Sequence, residues 1–204
     1  LTSGTYYIKL QSDRPFSNQP YRLQADLTPL VAGYSDIAGH WAERAIVEMT
    51  KRGIIDGYGN YRFLPDGIVS RAEAAAILAR AFRWTKEDPL RFSDVANAYW
   101  AYSAIARAAH AGVIDGYPDG TFRPDAAITR MDMAYMIARS LGLAGKKRGG
   151  PPFADIGEDD PAAGILKQLK ADGWIGGFPD GTFRPDRLAT RAELLTVLEK
   201  ILNS

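Results

Sequence analysis

The stretch Gly112-Val-Ile-Asp-Gly-Tyr-Pro-Asp-Gly-Thr-Phe-Arg-Pro-Asp-Ala-Ala-Ile-Thr-Arg130 decides how this chain is read, because it occurs three times. Its third copy is Gly173-Trp-Ile-Gly-Gly-Phe-Pro-Asp-Gly-Thr-Phe-Arg-Pro-Asp-Arg-Leu-Ala-Thr-Arg191. The first, from Gly53, is looser but keeps Gly-Ile-Ile-Asp-Gly-Tyr, then Phe63, Pro65, Asp66 and Ser70-Arg71. Gly53, Gly112 and Gly173 are 59 and 61 residues apart, and Arg71, Arg130 and Arg191 keep the same steps. A fixed period with Gly and Pro at fixed phase is a repeat architecture.

Working outward, each copy has the same order of parts. An aromatic residue, a spacer and an Asp open it: Tyr34-Ser-Asp36, Phe92-Ser-Asp94 and Phe153-Ala-Asp155. A first helix follows, with apolar positions Ala45, Ile46 and Met49, then Ala104, Ile105 and Ala108, then Ile165, Leu166 and Leu169. That i, i+1, i+4 spacing is one helical face. Gly53, Gly112 and Gly173 fit its C-terminal cap, and a Pro-Asp-Gly turn comes next, with Gly59-Asn60 in its place in the first copy. Ser70-Arg-Ala-Glu73, Thr129-Arg-Met-Asp132 and Thr190-Arg-Ala-Glu193 have the form of a capping box and start a second helix. Asp132 is shorter than Glu, which predicts a less well closed middle box. The second helix carries a wide apolar stripe (Ala74, Ala75, Ile77, Leu78, Ala81, Phe82), as expected of a central helix with neighbours on two sides.

These cuts predict a mainly α chain of three helix-loop-helix repeats, over residues 31–88, 89–149 and 150–204. Thr85 to Leu90 and Gly142 to Pro152 read as linkers. Residues 1–30 differ in kind: Thr5 to Ser12 and Tyr21 to Leu27 alternate like strands, and predict a β-hairpin or the tail of an upstream β domain. A start at Leu1 without a signal-like apolar run suggests a fragment of something longer.

Composition narrows the function. The 204 residues are 46% hydrophobic, and 25 basic against 24 acidic side chains leave a formal charge of +1. So even a balance argues against nucleic acid as partner. No run approaches a membrane span. The absence of cysteine excludes disulfides, thiol nucleophiles and zinc-thiolate sites. Asp115-Gly-Tyr-Pro-Asp119-Gly120 fails as a calcium loop, since Tyr117 and Ala126 stand where oxygen ligands are needed. His40 and His110 occupy non-equivalent repeat positions, which does not suit a metal site. Glu158, Asp159 and Asp160 lie in one loop-like run, better read as solvated charge than as a glycosidase pair. No nucleophile–base pair supports an enzyme, and no cofactor is expected.

The aromatic-x-Asp-[Ile/Val] opening, the Trp early in the first helix, Gly-Tyr-Pro-Asp-Gly-Thr-Phe-Arg-Pro and Thr-Arg-Ala-Glu together resemble the S-layer homology family, over residues 32 to 204. The segment Gly-Thr-Tyr-Tyr-Ile-Lys…Tyr-Arg-Leu before them is similar to the last strands of the pre-peptidase C-terminal β-sandwich. The main resemblance implies a pseudo-threefold bundle, a monomer built as a pseudo-trimer, that attaches secreted proteins to the bacterial cell envelope. It also implies an extracellular location and a ligand: secondary cell-wall polysaccharide carrying pyruvate ketals, held in grooves between repeats.

Those expectations assign the candidate site residues. Arg71, Arg130 and Arg191 stand at the first position of a helix, beside backbone N–H groups expected to be unpaired and the positive dipole end. An Arg fork would match a ketal carboxylate. Alternatively each Arg latches onto Asp36, Asp94 or Asp155 of a neighbouring repeat, and spacing alone leaves both readings open. Those Asp residues would bind sugar hydroxyls or orient the Arg. Trp41 and Trp100, equivalent positions, would either stack on a sugar or fill the core. Repeat three has Pro161 there, within acidic Gly157-Glu-Asp-Asp-Pro161, so the groove using that segment is expected to be weak or empty. Gly57, Gly116 and Gly177 serve turn geometry and could also allow close approach by a sugar. The rival to a carbohydrate-binding module is a structural protein-interaction module of a surface assembly.

Overall fold

In each repeat the carboxylate of the opening motif folds the turn back on itself. Asp94 accepts from the amides of Phe122 and Arg123, both at 2.7 Å. Asp155 does the same for Phe183 and Arg184, and Asp36 for Phe63 and Leu64. The second amide of each pair belongs to a non-glycine residue in the left-handed region, Leu64, Arg123 or Arg184, at φ 56° or 57°. The charged acceptor offsets that strain. Behind it the opening ring packs on the turn's Phe: Tyr34 on Phe63, Phe92 on Phe122 and Phe153 on Phe183, with centroids 5.2, 5.3 and 5.1 Å apart. All three turn phenylalanines are fully buried.

The computed structural model describes residues 30–143 and 150–204. The strands expected before residue 30 and the centre of the 142–152 linker lie outside these residues. Six helices make up the described chain: α1 (Glu43–Lys51), α2 (Arg71–Ala81), α3 (Tyr102–His110), α4 (Arg130–Ser140), α5 (Ala163–Ala171) and α6 (Arg191–Leu202). The only other regular pairing among the described residues is a handful of isolated bridges, and none of these helices is long and apolar enough to cross a membrane. The chain is therefore mainly α. Gly53, Gly112 and Gly173 end the first helices at φ 68°, 70° and 74°, a conformation glycine adopts without a Cβ penalty.

All three capping boxes close. Ser70, Thr129 and Thr190 accept from the amides of Glu73, Asp132 and Glu193, and each carboxylate reaches back to the cap amide. The expectation of a looser middle box is thus corrected. Asp132 lies 2.8 Å from the Thr129 amide, against 2.9 and 3.0 Å for the two glutamates. The shorter side chain loses reach elsewhere, as described below.

The repeats interlock instead of standing side by side. Val69, Ile128 and Ala189, each two residues before a helix-opening Arg, are fully buried and bond to one another in a closed ring. The amide of Val69 donates to Ala189 O, that of Ala189 to Ile128 O, and that of Ile128 to Val69 O, all at 3.0 Å. The principal helix contacts cross repeat boundaries: α2 packs on α3, α4 on α5, and α6 on α1. The second helix of one repeat thus pairs with the first helix of the next. This explains the wide stripe of α2, where Ala72, Ala74 to Ala79 and Ala81 are all buried.

Candidate functional site

The helix-opening arginines sit at the seams of this ring. Their backbone amides are not unpaired, contrary to expectation. The Arg71 amide donates to Ala126 O and that of Ala72 to Pro124 O, both at 2.9 Å. Arg130 and Met131 repeat this on Arg187 and Pro185, and Arg191 and Ala192 on Gly67 and Pro65. With the capping box taking the next amide, the first turn of each helix is saturated by the neighbouring repeat. No backbone donor is left there for an anion.

The side chains latch the same seams. Arg71 donates from Nε to Phe122 O at 2.8 Å and from Nη2 to Asp115 O at 2.7 Å. Arg130 does so to Phe183 O and Gly176 O, and Arg191 to Phe63 O and Asp56 O. Each guanidinium also lies 4.5–4.7 Å from the ring centroid of the next repeat's turn Phe. The latch is therefore made on backbone carbonyls, not on Asp36, Asp94 or Asp155, and it engages one edge of the fork. Asp36 stays with its own repeat. Burial works to raise its pKa, but the amides of Phe63 and Leu64 hold it below the usual carboxylate value.

What remains of the Arg130 and Arg191 guanidinium groups faces a cleft, and the surroundings of the three arginines differ. Arg130 Nη1 meets Glu193 at 2.9 Å. Arg191 Nη1 lies 3.4 Å from the Tyr58 hydroxyl and 3.8 Å from Glu73, which also accepts from that hydroxyl. Both arginines are buried; burial pulls the Arg130 pKa down while Glu193 supports the charge. Arg71 is half-buried, and among the described residues it has no ion pair. Asp132 occupies the position of Glu73 and Glu193 but is a methylene shorter.

Trp41 and Trp100 are 63% and 62% exposed, so neither is a core residue. Trp41 lines a cleft of about 240 Å³ floored by Arg130 and walled by Trp174, Phe178, Glu193 and Lys200. Trp100 lines a second, of about 170 Å³, with Arg191, Asp56, Tyr58, Glu73 and Arg80. Each cleft draws on all three repeats: an Arg from one, the turn and second helix of the next, and a Trp from the third. At the Arg71 seam the position equivalent to Trp41 and Trp100 is Pro161. Asp160, beside it, is near enough to the α4 residue Tyr135 to add to burial in raising that phenol's pKa.

Gly57, Gly116 and Gly177 are seated under the opening ring of their own repeat. A Cβ on Gly177 would stand 2.6 Å from Thr182 O and 2.8 Å from the Phe153 ring, and the equivalents meet Tyr34 and Phe92. Their tight packing is internal, and Gly177 also borders the Trp41 cleft. Sequence reading gave Glu73 and Glu193 only a capping role and did not pick out Trp174, Lys200 or Arg80. Lys200, Arg139 and Arg80 could have been found, since each follows its helix-opening Arg by nine residues.

The described chain is thus three interlocked repeats with two aromatic-walled, arginine-floored clefts at their seams. The chain belongs to the S-layer homology domain family, which matches residues 33–75, 91–134 and 152–195. It is 32% identical over 164 residues to Cell surface glycoprotein 1 of Acetivibrio thermocellus, covering 74% of this chain and 7% of that protein. It is 34% identical over 157 residues to the Cellulosome-anchoring protein of the same organism, covering 72% and 35%. Exoglucanase XynX, also from Acetivibrio thermocellus, is 31% identical over 177 residues, covering 83% and 16%. The chain thus spans about a third or less of these relatives' lengths, and the stretch it shares recurs in proteins of different names.

Proposed function

We propose that the chain is a non-catalytic anchoring module that holds a protein at the bacterial cell surface by binding cell-wall polysaccharide in the clefts between repeats. The ligand is the pyruvylated secondary polymer, read through its ketal carboxylate, and a monomeric pseudo-threefold bundle carries the clefts. The observation that carries this reading is the pair Trp41 and Trp100: two equivalent, largely exposed indoles, each at the edge of a cleft with a buried arginine below. Leaving two such side chains in water costs stabilisation that burial would supply, and a sugar ring covering them recovers it. Surface location agrees with the names of the relatives, a cell surface glycoprotein and a cellulosome-anchoring protein.

In this reading Arg71, Arg130 and Arg191 act as fixed positive floors, since the paired donors of each are engaged by carbonyls. Asp36, Asp94 and Asp155 hold the turns, and Gly57, Gly116 and Gly177 keep them thin. The cleft at Arg71, without Trp and next to Asp160, contributes little. Calorimetric titration with a short pyruvylated cell-wall saccharide, beside the same saccharide without its ketal, tests the proposal. Saturable binding that needs the ketal and is lost in Trp41→Ala/Trp100→Ala is expected. Equal binding of both saccharides would refute the carboxylate reading. Binding of neither would leave the protein-interaction module as the better account.

A further inference from the structure

The seams between repeats are built on one plan but carry different charge. At the position three residues after the helix-ending glycine, the first two repeats have Asp56 and Asp115, and the third has Gly176. Each aspartate neutralises the base on the second helix of its own repeat. Arg80 lies 3.6 Å from Asp56, and Arg139 lies 2.6 Å from Asp115. Lys200, their equivalent, has no such carboxylate opposite it and donates to Gly173 O at 3.1 Å. A second difference adds to the first. Arg187 stands where the other repeats have Gly67 and Ala126, and it shares Glu193 with Arg130, at 2.5 and 2.9 Å. The Trp41 cleft is lined by two cations, Arg130 and Lys200, against one carboxylate, Glu193, a formal +1, and Arg187 shares that carboxylate from beside the cleft. The Trp100 cleft is lined by Arg191 and Arg80 against Glu73 and Asp56, a formal zero. At the equivalent positions of the Arg71 seam stand Arg139, paired with Asp115, and Asp132, again a formal zero with Arg71.

From this asymmetry we infer that the cleft walled by Trp41 is the one high-affinity anion site of the chain, and that Gly176, Arg187 and Lys200 select an acidic saccharide there. The inference rests on the saccharide-binding reading above and adds which cleft acts and why. A net charge in a concave, aromatic-walled site draws a carboxylate and is not cancelled by a partner already in place. The Trp100 cleft has the same shape and wall but must break or share the Arg80–Asp56 pair to offer equal charge. It is the weaker, charge-neutral site.

The test exchanges residues the chain already uses at equivalent positions. A Cβ at position 176 meets nothing within 4 Å, and Gly176→Asp brings to the cleft lined by Lys200 the carboxylate found in the other repeats. With the full 204-residue chain and a short pyruvylated disaccharide, Gly176→Asp is expected to weaken the tight binding event about fivefold or more at low salt. Added salt should shrink that difference. Arg187→Ala should weaken the same event, and Trp41→Ala should abolish it. Asp56→Gly should strengthen the second, weaker event. Tight binding that survives Gly176→Asp and Trp41→Ala but is lost in Trp100→Ala would overturn the inference and leave the saccharide reading intact. No saccharide binding by the unaltered chain would overturn both.

Discussion

Replacing Arg191 by methionine separates the latch from the ligand site. Arg191 is 3% exposed, and methionine keeps most of its aliphatic volume while removing the guanidinium. Two hydrogen bonds to backbone carbonyls disappear, to Phe63 O at 3.1 Å and Asp56 O at 2.8 Å, with a longer one to the Tyr58 hydroxyl at 3.4 Å. Phe63 is fully buried, so its carbonyl gains no easy access to water. Bonds from a charged donor contribute about 1.5–3 kcal/mol each, and relief of the buried charge offsets part of that loss. The net expectation is a destabilisation of about 3–5 kcal/mol, which for a domain of this size lowers Tm by about 6–20 °C. The matched Arg71→Met, at a half-buried residue without a carboxylate partner, should cost about half as much. Urea and thermal unfolding followed by far-UV circular dichroism measure both. A stability within about 1 kcal/mol of the unaltered chain for Arg191→Met, together with lost saccharide binding, would refute the latch and make this arginine a free ligand donor.

Two neighbouring glycines should behave oppositely: Gly177→Ala forces a Cβ against Thr182 O and Phe153 and should cost about 1–3 kcal/mol, whereas Gly176→Ala meets open space and should be neutral or slightly stabilising in the same urea titration. Asp119 should titrate far below the ordinary value of 3.8, at about 2, because the Thr121 hydroxyl and amide and then Arg123 bind its charged form. A folded-state pKa depressed in this way contributes stability above pH 4 that is lost as pH falls from about 4 towards 2. Carboxyl-detected NMR titration, with Thr121→Ala as the variant that should bring the midpoint back up, checks both the value and its cause.

Much of this architecture was legible because its determinants are local. The three capping boxes, the helix-ending glycines and the aromatic-x-Asp openings act over a few residues or within one repeat, so a fixed spacing reveals them. The reading erred where a group's partner lies in another repeat. The helix-opening amides looked free because Pro65, Pro124 and Pro185 supply their acceptors from across a seam. The arginine fork looked available because the carbonyls of Phe63, Phe122 and Phe183 are not marked in any side-chain pattern. Asp132 was read correctly as short, but the consequence falls on Arg71 of the preceding repeat and not on its own cap.

The sequence by itself determined the repeat, the helix starts and stops, and the departure of the third copy at Pro161. Tertiary structure alone decided that each repeat pairs its second helix with the first helix of the next, and that a cleft takes its arginine, turn and tryptophan from three different repeats. The physical reason is range. Capping and turn chemistry act through neighbouring amides along the chain, whereas the charge of a cleft is a sum over side chains that only the closing of the ring brings within a few ångströms. Gly176, unremarkable as a letter in the third copy, matters because Lys200 stands where its two counterparts each meet an aspartate.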